Sequence, residues 1–319
     1  MTGITPGKAR ALTQASNEHG IFTVFAIDHR DAMRVLLDPD DPAGVPADLL
    51  TEIKLDFVRA MNADASAVLL DPEYSAIEAM SGRVVGRDTG LLVALEDQGY
   101  LGDPEARVTA LLEGWSVEKA KRLGASGIKL LLLYRPDSEA AAQQDAVVAD
   151  VVTGCARWDI PLFLEPIPYP LPSDDAGGPS RRELVVESVR RLGALDPDVM
   201  KVPFPEDTTV EDLPRWRDAC AELDEVSPVP WALLSGGDAY RSFRTQVEVA
   251  CAAGSSGFLV GRALWGEAAK MSMAERRAAI EYQVRPRFVE LAQIATAHGT
   301  SWFERVGDDG IGTPSYIDY

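Results

Sequence analysis

Residues 127–133 read Gly-Ile-Lys-Leu-Leu-Leu-Leu, a run that is apolar except for Lys129. A strand with one solvent-facing side alternates between apolar and polar residues, whereas a strand buried on both faces of a parallel sheet is continuously apolar. Seven further short runs share this character, at residues 21–28, 66–71, 90–96, 161–165, 198–202, 230–235 and 256–261. We therefore expect eight strands of a parallel sheet.

Longer amphipathic segments separate these runs, as expected for helices that cover the sheet. Helices of this type are predicted at residues 47–61, 105–123, 138–158 and 245–253. Thr208 followed by Glu211 forms a candidate capping box, which predicts the start of a helix after the sixth strand. Gly124, Gly193 and Gly254 stand where helices are expected to end.

Eight strand–helix units predict an α/β fold, a closed (β/α)8 TIM barrel. The rival is an open doubly wound sheet, which usually has a glycine-rich turn after its first strand. Here that position, residues 26–30, contains no glycine, which favours the barrel. The expected organisation is one barrel domain over residues 1–306, with an N-terminal helix at residues 6–18, a C-terminal helical extension at residues 274–297, and a tail at residues 307–319.

A long segment after the fifth strand, residues 170–182, contains three prolines together with Gly177 and Gly178. Long loops at this end of a barrel often close over an active site. The segment is therefore interpreted either as an active-site lid or as a surface insertion without a catalytic role.

The chain is strongly acidic, since 31 basic and 50 acidic side chains give a net charge of −19. Such a charge repels nucleic acids and anionic membranes, so the expected partner is a small molecule. The three widely spaced cysteines match neither a disulfide framework nor a zinc motif, which indicates a reducing compartment, the cytoplasm. No apolar run is long enough to span a bilayer.

Polar side chains follow almost every apolar run, at the strand ends where barrel active sites lie. Buried polar groups cost free energy, so this convergence indicates a functional site rather than packing. The residues are Asp28, Arg30, Asp71, Glu73, Glu96, Lys129, Glu165, Lys201, Ser235 and Arg262.

Two of these residues, Lys129 and Lys201, lie inside apolar strands. Burial and a second nearby cation both lower the pKa of a lysine, and the neutral amine can then form a Schiff base with a carbonyl compound. Glu165 is a candidate general acid/base on the neighbouring strand. The alternative is structural, with each lysine paired to a carboxylate such as Glu96 or Glu165.

The loops after the seventh and eighth strands carry Ser235-Gly236-Gly237 and Gly261-Arg262. Glycines let backbone N–H groups approach an anion, and an arginine can bind a phosphate through two nitrogens. These loops form the usual phosphate site of a barrel, although a Ser-Gly-Gly triplet alone is commonly a turn. Arg30 is the candidate ligand for a second anionic group, a phosphate or a sulfonate.

Two other classes of protein stay open. A magnesium-dependent lyase or isomerase would use Asp28, Asp71 and Glu73, whereas a zinc site is disfavoured because the chain has three histidines and only His29 follows a strand. A barrel that binds a sugar phosphate as a regulator, without catalysis, is the third possibility.

Several short motifs, in the same order along the chain, resemble the class I tagatose 1,6-bisphosphate aldolase family, which includes the 6-deoxy-6-sulfofructose-1-phosphate aldolases. The motifs are Ala26-Ile27-Asp28-His29-Arg30, residues 68–74 (VLLDPEY), Phe163-Leu164-Glu165, Asp198-Val199-Met200-Lys201-Val202, Leu234-Ser235-Gly236-Gly237 and residues 257–265 (GFLVGRALW). The resemblance as a whole runs from about residue 8 to residue 265.

The resemblance implies a (β/α)8 barrel in which Lys201 is the Schiff-base lysine and Glu165 the acid/base. It further implies that Lys129 is the second interior lysine, that Asp28 orients the lysines, and that Gly261 and Arg262 belong to the phosphate loop. The chain departs from the family pattern at His29, usually glutamine, at Pro203, usually glutamate, and in residues 168–172.

The sequence therefore predicts a class I aldolase, a carbon–carbon lyase that needs no metal or other cofactor. Its substrate would be a ketose 1-phosphate or 1,6-bisphosphate of the tagatose or sulfofructose type, cleaved to dihydroxyacetone phosphate and a three-carbon aldehyde. The family resemblance and the apolar residues of the C-terminal helix also indicate a homo-oligomer.

Overall fold

A computed structural model describes residues 4–172, 174, 177–307, 310–315, 317 and 319. Its eight parallel strands close into a barrel in which each strand pairs with the next in the chain and β8 pairs with β1. The predicted (β/α)8 barrel is confirmed, and each predicted run contains a strand. The strands are β1 Phe22–Ala26, β2 Ala67–Leu70, β3 Gly90–Ala94, β4 Gly127–Leu133, β5 Leu162–Ile167, β6 Val199–Val202, β7 Trp231–Leu234 and β8 Gly257–Val260.

Helices surround the barrel and extend the chain at both termini. They are α1 Pro6–Ala15, α2 Asp31–Leu37, α3 Ala47–Met61, α4 Ile77–Ser81, α5 Val117–Leu123, α6 Ala141–Arg157, α7 Arg181–Gly193, α8 Leu213–Val226, α9 Tyr240–Ala252, α10 Arg262–Ala269, α11 Met273–Ala279, α12 Arg285–His298 and α13 Trp302–Val306. A π-helical turn, Ile280–Val284, joins α11 to α12, so the predicted C-terminal helix is present with an internal bulge.

Two helix predictions are wrong. Only Val117–Leu123 of the helix predicted at residues 105–123 is helical. Residues 97–111 fold instead as an extended excursion, with one isolated bridge between Glu96 and Leu111 at its base and a second between Leu101 and Val108. The capping box of Thr208 and Glu211 does not form either. The helix that follows β6, α8, begins at Leu213 after Asp212, whose side chain accepts a hydrogen bond from the Arg215 backbone N–H.

The interior of the barrel is filled by alternate residues of the strands, because successive side chains point to opposite faces. Phe22, Val24 and Ala26 of β1 belong to this interior cluster, together with Leu92 of β3 and Phe163 of β5. α1 and α13 cover the amino-terminal ends of the strands, where Leu12 and Trp302 join the same cluster. The opposite, carboxyl-terminal end is left for polar side chains.

The described part of the C-terminal tail lies beside the N-terminus. Ile4 pairs with Ile311 in an isolated parallel bridge, and the backbone N–H of Ile4 donates to the Gly310 carbonyl at 2.7 Å. The domain boundary placed at residue 306 stays a prediction. In the described ranges, no helix is long and apolar enough to cross a membrane.

The loop after β5 is fastened to the end of β4. Arg135, which is fully buried, donates to both carboxylate oxygens of Asp174 at 2.6 and 3.0 Å, and to the Tyr169 carbonyl at 3.1 Å. The lid predicted at residues 170–182 includes Ser173, Asp175 and Ala176, which lie outside the described residues. Its role as a lid stays a prediction.

Candidate active site

The polar side chains at the carboxyl end of the barrel continue the alternation of its interior. Glu165 lies two positions after the interior residue Phe163, and Lys201 lies two positions after Val199. Asp28 follows Ala26 by the same step, so strand geometry directs all three polar side chains inward. A layer of ionisable groups therefore lies directly above the apolar barrel interior.

Lys129 lies at the centre of this layer. Its Nζ donates to Asp28 Oδ2 at 2.8 Å and to Glu96 Oε1 at 2.6 Å, and lies 3.1 Å from Glu165 Oε2. Burial opposes the charge on this amine, but the three carboxylates outweigh it and raise the pKa of Lys129 well above its usual value. The lowered pKa expected for an interior lysine is therefore wrong for Lys129, which is held as a cation.

Lys201 has simpler surroundings. Its Nζ donates to Glu165 Oε2 at 2.8 Å, and within the described ranges this is its one hydrogen bond. The side chain is buried but lines a cavity of about 190 Å³ together with Glu165, Lys129 and Asp28. The amine is thus both held by a carboxylate and accessible to a small ligand.

The pKa values of the other two carboxylates that contact Lys129, Asp28 and Glu96, are shifted in opposite directions. Burial alone raises the pKa of Asp28, but the charges of Lys129 and Lys201 outweigh it and hold this pKa well below the usual range. For Glu96 the order is reversed: burial outweighs the attraction of Lys129, and its pKa is raised. Asp28 is therefore the firmly ionised partner of Lys129.

The loops after β7 and β8 contact each other directly, and their role as an anion site stays a prediction. Ser235 Oγ accepts a hydrogen bond from the backbone N–H of Gly261 at 3.2 Å, and Arg262 Nη2 donates to the Gly236 carbonyl at 3.2 Å. Gly237 has a φ of 96°, and a Cβ at this position would come within 3.3 Å of the Arg262 guanidinium. Glycine is therefore required where the arginine crosses the loop.

Arg30 is buried and engaged by protein acceptors. It donates to Glu73 Oε2 at 2.5 Å and to the Glu96 carbonyl at 2.7 Å, so it stabilises the base of the site. Its proposed contact with a second anionic group stays a prediction.

The carboxylates of the magnesium alternative are each held by a different cation. Asp28 pairs with Lys129, Asp71 with the buried Lys54, and Glu73 with Arg30. Among the described residues, no group of three or more His, Cys, Asp or Glu side chains is arranged to hold a metal ion.

Sequence reasoning missed two contributors to the cavity. His29 lines it, although the sequence indicated this residue only as the one histidine that follows a strand and as a departure from a family pattern, and predicted no role for it. The excursion after β3 also brings Gln98 and Gly99 to the lining of this cavity. The sequence predicts no role for these two residues. The turn-forming residues Gly99 and Gly102, both at positive φ, are the sequence feature that indicates this excursion.

The chain is similar to known proteins in sequence and in fold. Tagatose 1,6-diphosphate aldolase 2 of Streptococcus agalactiae is 28% identical over 95% of this chain and 99% of its own. The Streptococcus pneumoniae enzyme named tagatose 1,6-diphosphate aldolase is 29% identical over the same shares. An archaeal fructose 1,6-bisphosphate aldolase structure has a TM-score of 0.61 at 21% identity, covering 91% of this chain and 99% of that one. Fructose-bisphosphate aldolase of Plasmodium falciparum has a TM-score of 0.70 at 15% identity, covering 92% and 95%.

Fold and site define a (β/α)8 barrel with a lysine and carboxylate cluster at the carboxyl end of its strands. Residues 22–267, which are most of the chain, match the model of a family of carbon–carbon lyases. The chain belongs to the DeoC/LacD family of aldolases.

Proposed function

We propose that this protein is a class I aldolase that cleaves a phosphorylated ketose through a Schiff base on Lys201. The observation that carries the proposal is the contact between Lys201 Nζ and Glu165 Oε2, 2.8 Å long, at the wall of a cavity that can admit substrate. A nucleophilic amine and an acid/base group within hydrogen-bonding distance are what imine formation requires.

The nucleophile is Lys201 rather than Lys129 because of the charges that surround each amine. Removing the proton from Lys129 would leave three buried carboxylates with one fewer cation, which is costly. Removing it from Lys201 leaves Glu165 still 3.1 Å from the charged Lys129. The role of Lys129 is therefore to keep the carboxylates neutralised while Lys201 reacts.

Lys201 and Glu165 can together carry out each bond-forming, bond-breaking and proton-transfer step of the cleavage. Neutral Lys201 attacks the ketone at C2, and Glu165 transfers protons as the carbinolamine loses water to form the iminium ion. Glu165, as the carboxylate, then takes the proton of the C4 hydroxyl. The electrons of the C3–C4 bond move into the iminium ion, which releases the aldehyde and leaves an enamine. Protonation of the enamine at C3 and hydrolysis return the ketone product and free Lys201.

The C1 phosphate is assigned to the loops that contain Ser235, Gly236, Gly237, Gly261 and Arg262. These loops contact each other directly, because the backbone N–H of Gly261 donates a hydrogen bond to Ser235 Oγ at 3.2 Å. Glycine backbone and one arginine are suited to a phosphate dianion.

The names of the relatives support tagatose 1,6-bisphosphate as substrate, and 6-deoxy-6-sulfofructose 1-phosphate is the second candidate. Either would yield dihydroxyacetone phosphate and a three-carbon aldehyde. We also propose that the reaction needs no metal, that the protein works in the cytoplasm, and that it forms a homo-oligomer. Light scattering tests the last point.

Borohydride reduction in the presence of dihydroxyacetone phosphate tests the proposed chemistry. We expect a stable mass increase on the peptide that contains Lys201, with none in the Lys201→Met variant and an unchanged increase in Lys270→Met, a change at a partly exposed lysine. Cleavage of a panel of phosphorylated and sulfonated ketoses should survive EDTA. A label on Lys129, or activity lost on chelation and restored by Mg²⁺, would overturn the assignment.

A further inference from the structure

His29 is held in one orientation at the wall of the catalytic cavity. Its ring packs edge-on against Trp265, with 5.2 Å between the ring centroids, and Trp265 Nε1 in turn donates to the Ala26 carbonyl at 2.9 Å. On another side the ring meets the start of the phosphate loop, since a Cβ on Gly261 would lie 3.3 Å from His29 Cε1. The imidazole is therefore fixed between Trp265 of α10 and Gly261 of the loop after β8.

Two buried polar atoms in this region face each other without a hydrogen bond. His29 Nδ1 and Asp28 Oδ1 are 3.7 Å apart, and neither has a partner among the described residues. The other oxygen of the same carboxylate, Oδ2, is occupied by Lys129. Catalytic hydrogen bonds are often long before substrate binds, and buried unpaired polar atoms call for an explanation.

The charge on Asp28 decides which ring nitrogen of His29 carries the proton. Burial lowers the pKa of His29 to about 3, against the opposing charge of Asp28, so the ring is neutral near pH 7. The other charged groups that act on it are Arg262, Lys201 and Lys129, and all three favour the neutral form. A carboxylate facing Nδ1 favours the proton there, which leaves a lone pair on Nε2.

We propose that His29 Nε2 accepts a hydrogen bond from the substrate hydroxyl on C3, and so selects substrates that carry this group. The inference rests on the proposed function. In that function the loops at Gly261 and Arg262 hold the C1 phosphate, and Lys201 holds C2. His29 lines the same cavity as Lys201 and lies against Gly261, and C3 is the first carbon beyond C2 that carries a free hydroxyl. His29 acts here by binding and selection, while Glu165 moves the protons.

The two ketones that differ only at this hydroxyl are dihydroxyacetone phosphate and hydroxyacetone phosphate. Borohydride trapping on Lys201 at graded ketone concentrations gives a half-saturating concentration for each. We expect the wild type to need at least about tenfold more hydroxyacetone phosphate, because a buried acceptor is left unpaired. In His29→Leu this preference should fall close to one. His29→Gln, whose amide oxygen can accept the same hydrogen bond, should retain most of it.

His19→Leu is the matched control, since His19 is an exposed histidine far from the cavity, and it should leave the preference unchanged. The preference is a ratio measured on one protein, so a lower yield of folded His29→Leu does not alter it. Absence of trapping on wild-type Lys201 overturns the proposed function and this inference with it. Normal trapping with the full preference retained in His29→Leu overturns this inference alone.

Discussion

Lys129 and Lys201 reach the same oxygen of one carboxylate, Glu165 Oε2, at 3.1 and 2.8 Å. Lys129 is held in addition by Asp28 and Glu96, whereas Glu165 is the single carboxylate that the described residues bring to Lys201. The two amines are thus unequal despite their similar burial. Lys129 is a cation that neutralises three carboxylates, whereas Lys201 contacts one carboxylate that Lys129 also contacts.

Replacing Lys129 with methionine should destabilise the fold as well as the chemistry. The change leaves Asp28, Glu96 and Glu165 buried with one cation between them. Breaking a buried ion pair by removing one partner costs about 3–5 kcal/mol, so we expect a fall of that size in the free energy of unfolding. Urea denaturation at pH 7 measures it.

The control is Lys270→Met, at a partly exposed ion pair with Glu267, where the expected change is below about 1 kcal/mol. Adding Glu96→Gln to Lys129→Met removes one of the unpaired charges and should recover part of the loss. A Lys129→Met protein as stable as the wild type would show that Lys129 is not the cation that holds the cluster together.

The loop after β5 should open when Asp174 is changed to asparagine. Arg135 holds the pKa of the Asp174 carboxyl below its usual value through two hydrogen bonds, and hydrogen bonds to charged groups contribute about 1.5–3 kcal/mol. We expect cleavage within residues 170–180 by a broad-specificity protease to speed up on the order of tenfold, because local opening exposes the segment.

Asp137→Asn provides a close comparison, because Asp137 binds the same arginine from the end of β4, and among the described residues no hydrogen bond joins its side chain to the loop. It should leave the cleavage rate near that of the wild type. Equal acceleration in both variants would mean that Arg135, rather than the Asp174 contact, controls the loop.

Much of the barrel could be predicted because strands buried on both faces are marked by continuous apolar runs. The interior lysines can be recognised because they interrupt such runs. The acidic residues can be recognised because each lies two positions beyond an apolar residue that points into the barrel. Pairing of the lysines with Glu96 or Glu165 was one of the predicted alternatives. That Lys129 contacts three carboxylates at once could not be predicted, because it depends on the side-chain geometry inside the barrel.

The excursion at residues 97–111 shows where local pattern fails. Residues 106–113 contain good helix formers, and propensity alone favours a helix. Backbone hydrogen bonds instead join Leu101 to Val108, and a second bridge joins Glu96 to Leu111. These pairings, closed by turns at Gly99 and Gly102, outweigh propensity.

Stability of the wild type should fall on acidification partly through His29. Its pKa is lowered to about 3 in the folded protein by burial, against 6.5 for an ordinary histidine. Between these values the unfolded chain binds one more proton than the folded chain. The contribution of His29 to the free energy of unfolding is therefore complete above pH 6.5 and is lost as the pH falls towards 3. The loss is at most about 1.4 kcal/mol per pH unit.

His29→Gln lacks this proton and should show a shallower fall in unfolding free energy between pH 6.5 and pH 4. Chemical denaturation at a series of pH values gives the slope, with His19→Gln as the control at an exposed histidine. Parallel slopes in wild type and His29→Gln would contradict the neutral state of the half-buried His29.

Closure of the barrel between β8 and β1 depends on Gly257. Its φ is 126°, and a Cβ there would stand 2.1 Å from the Phe22 carbonyl oxygen, which belongs to backbone that cannot move without breaking the sheet. Gly257→Ala should therefore cost at least about 3 kcal/mol of unfolding free energy. Gly114 has a φ of 72° with nothing within 4 Å of its Cβ position, so Gly114→Ala isolates the backbone strain alone, about 1–2 kcal/mol. Urea unfolding of both variants measures the difference, and equal losses would mean that contact with Phe22 does not limit how the barrel closes.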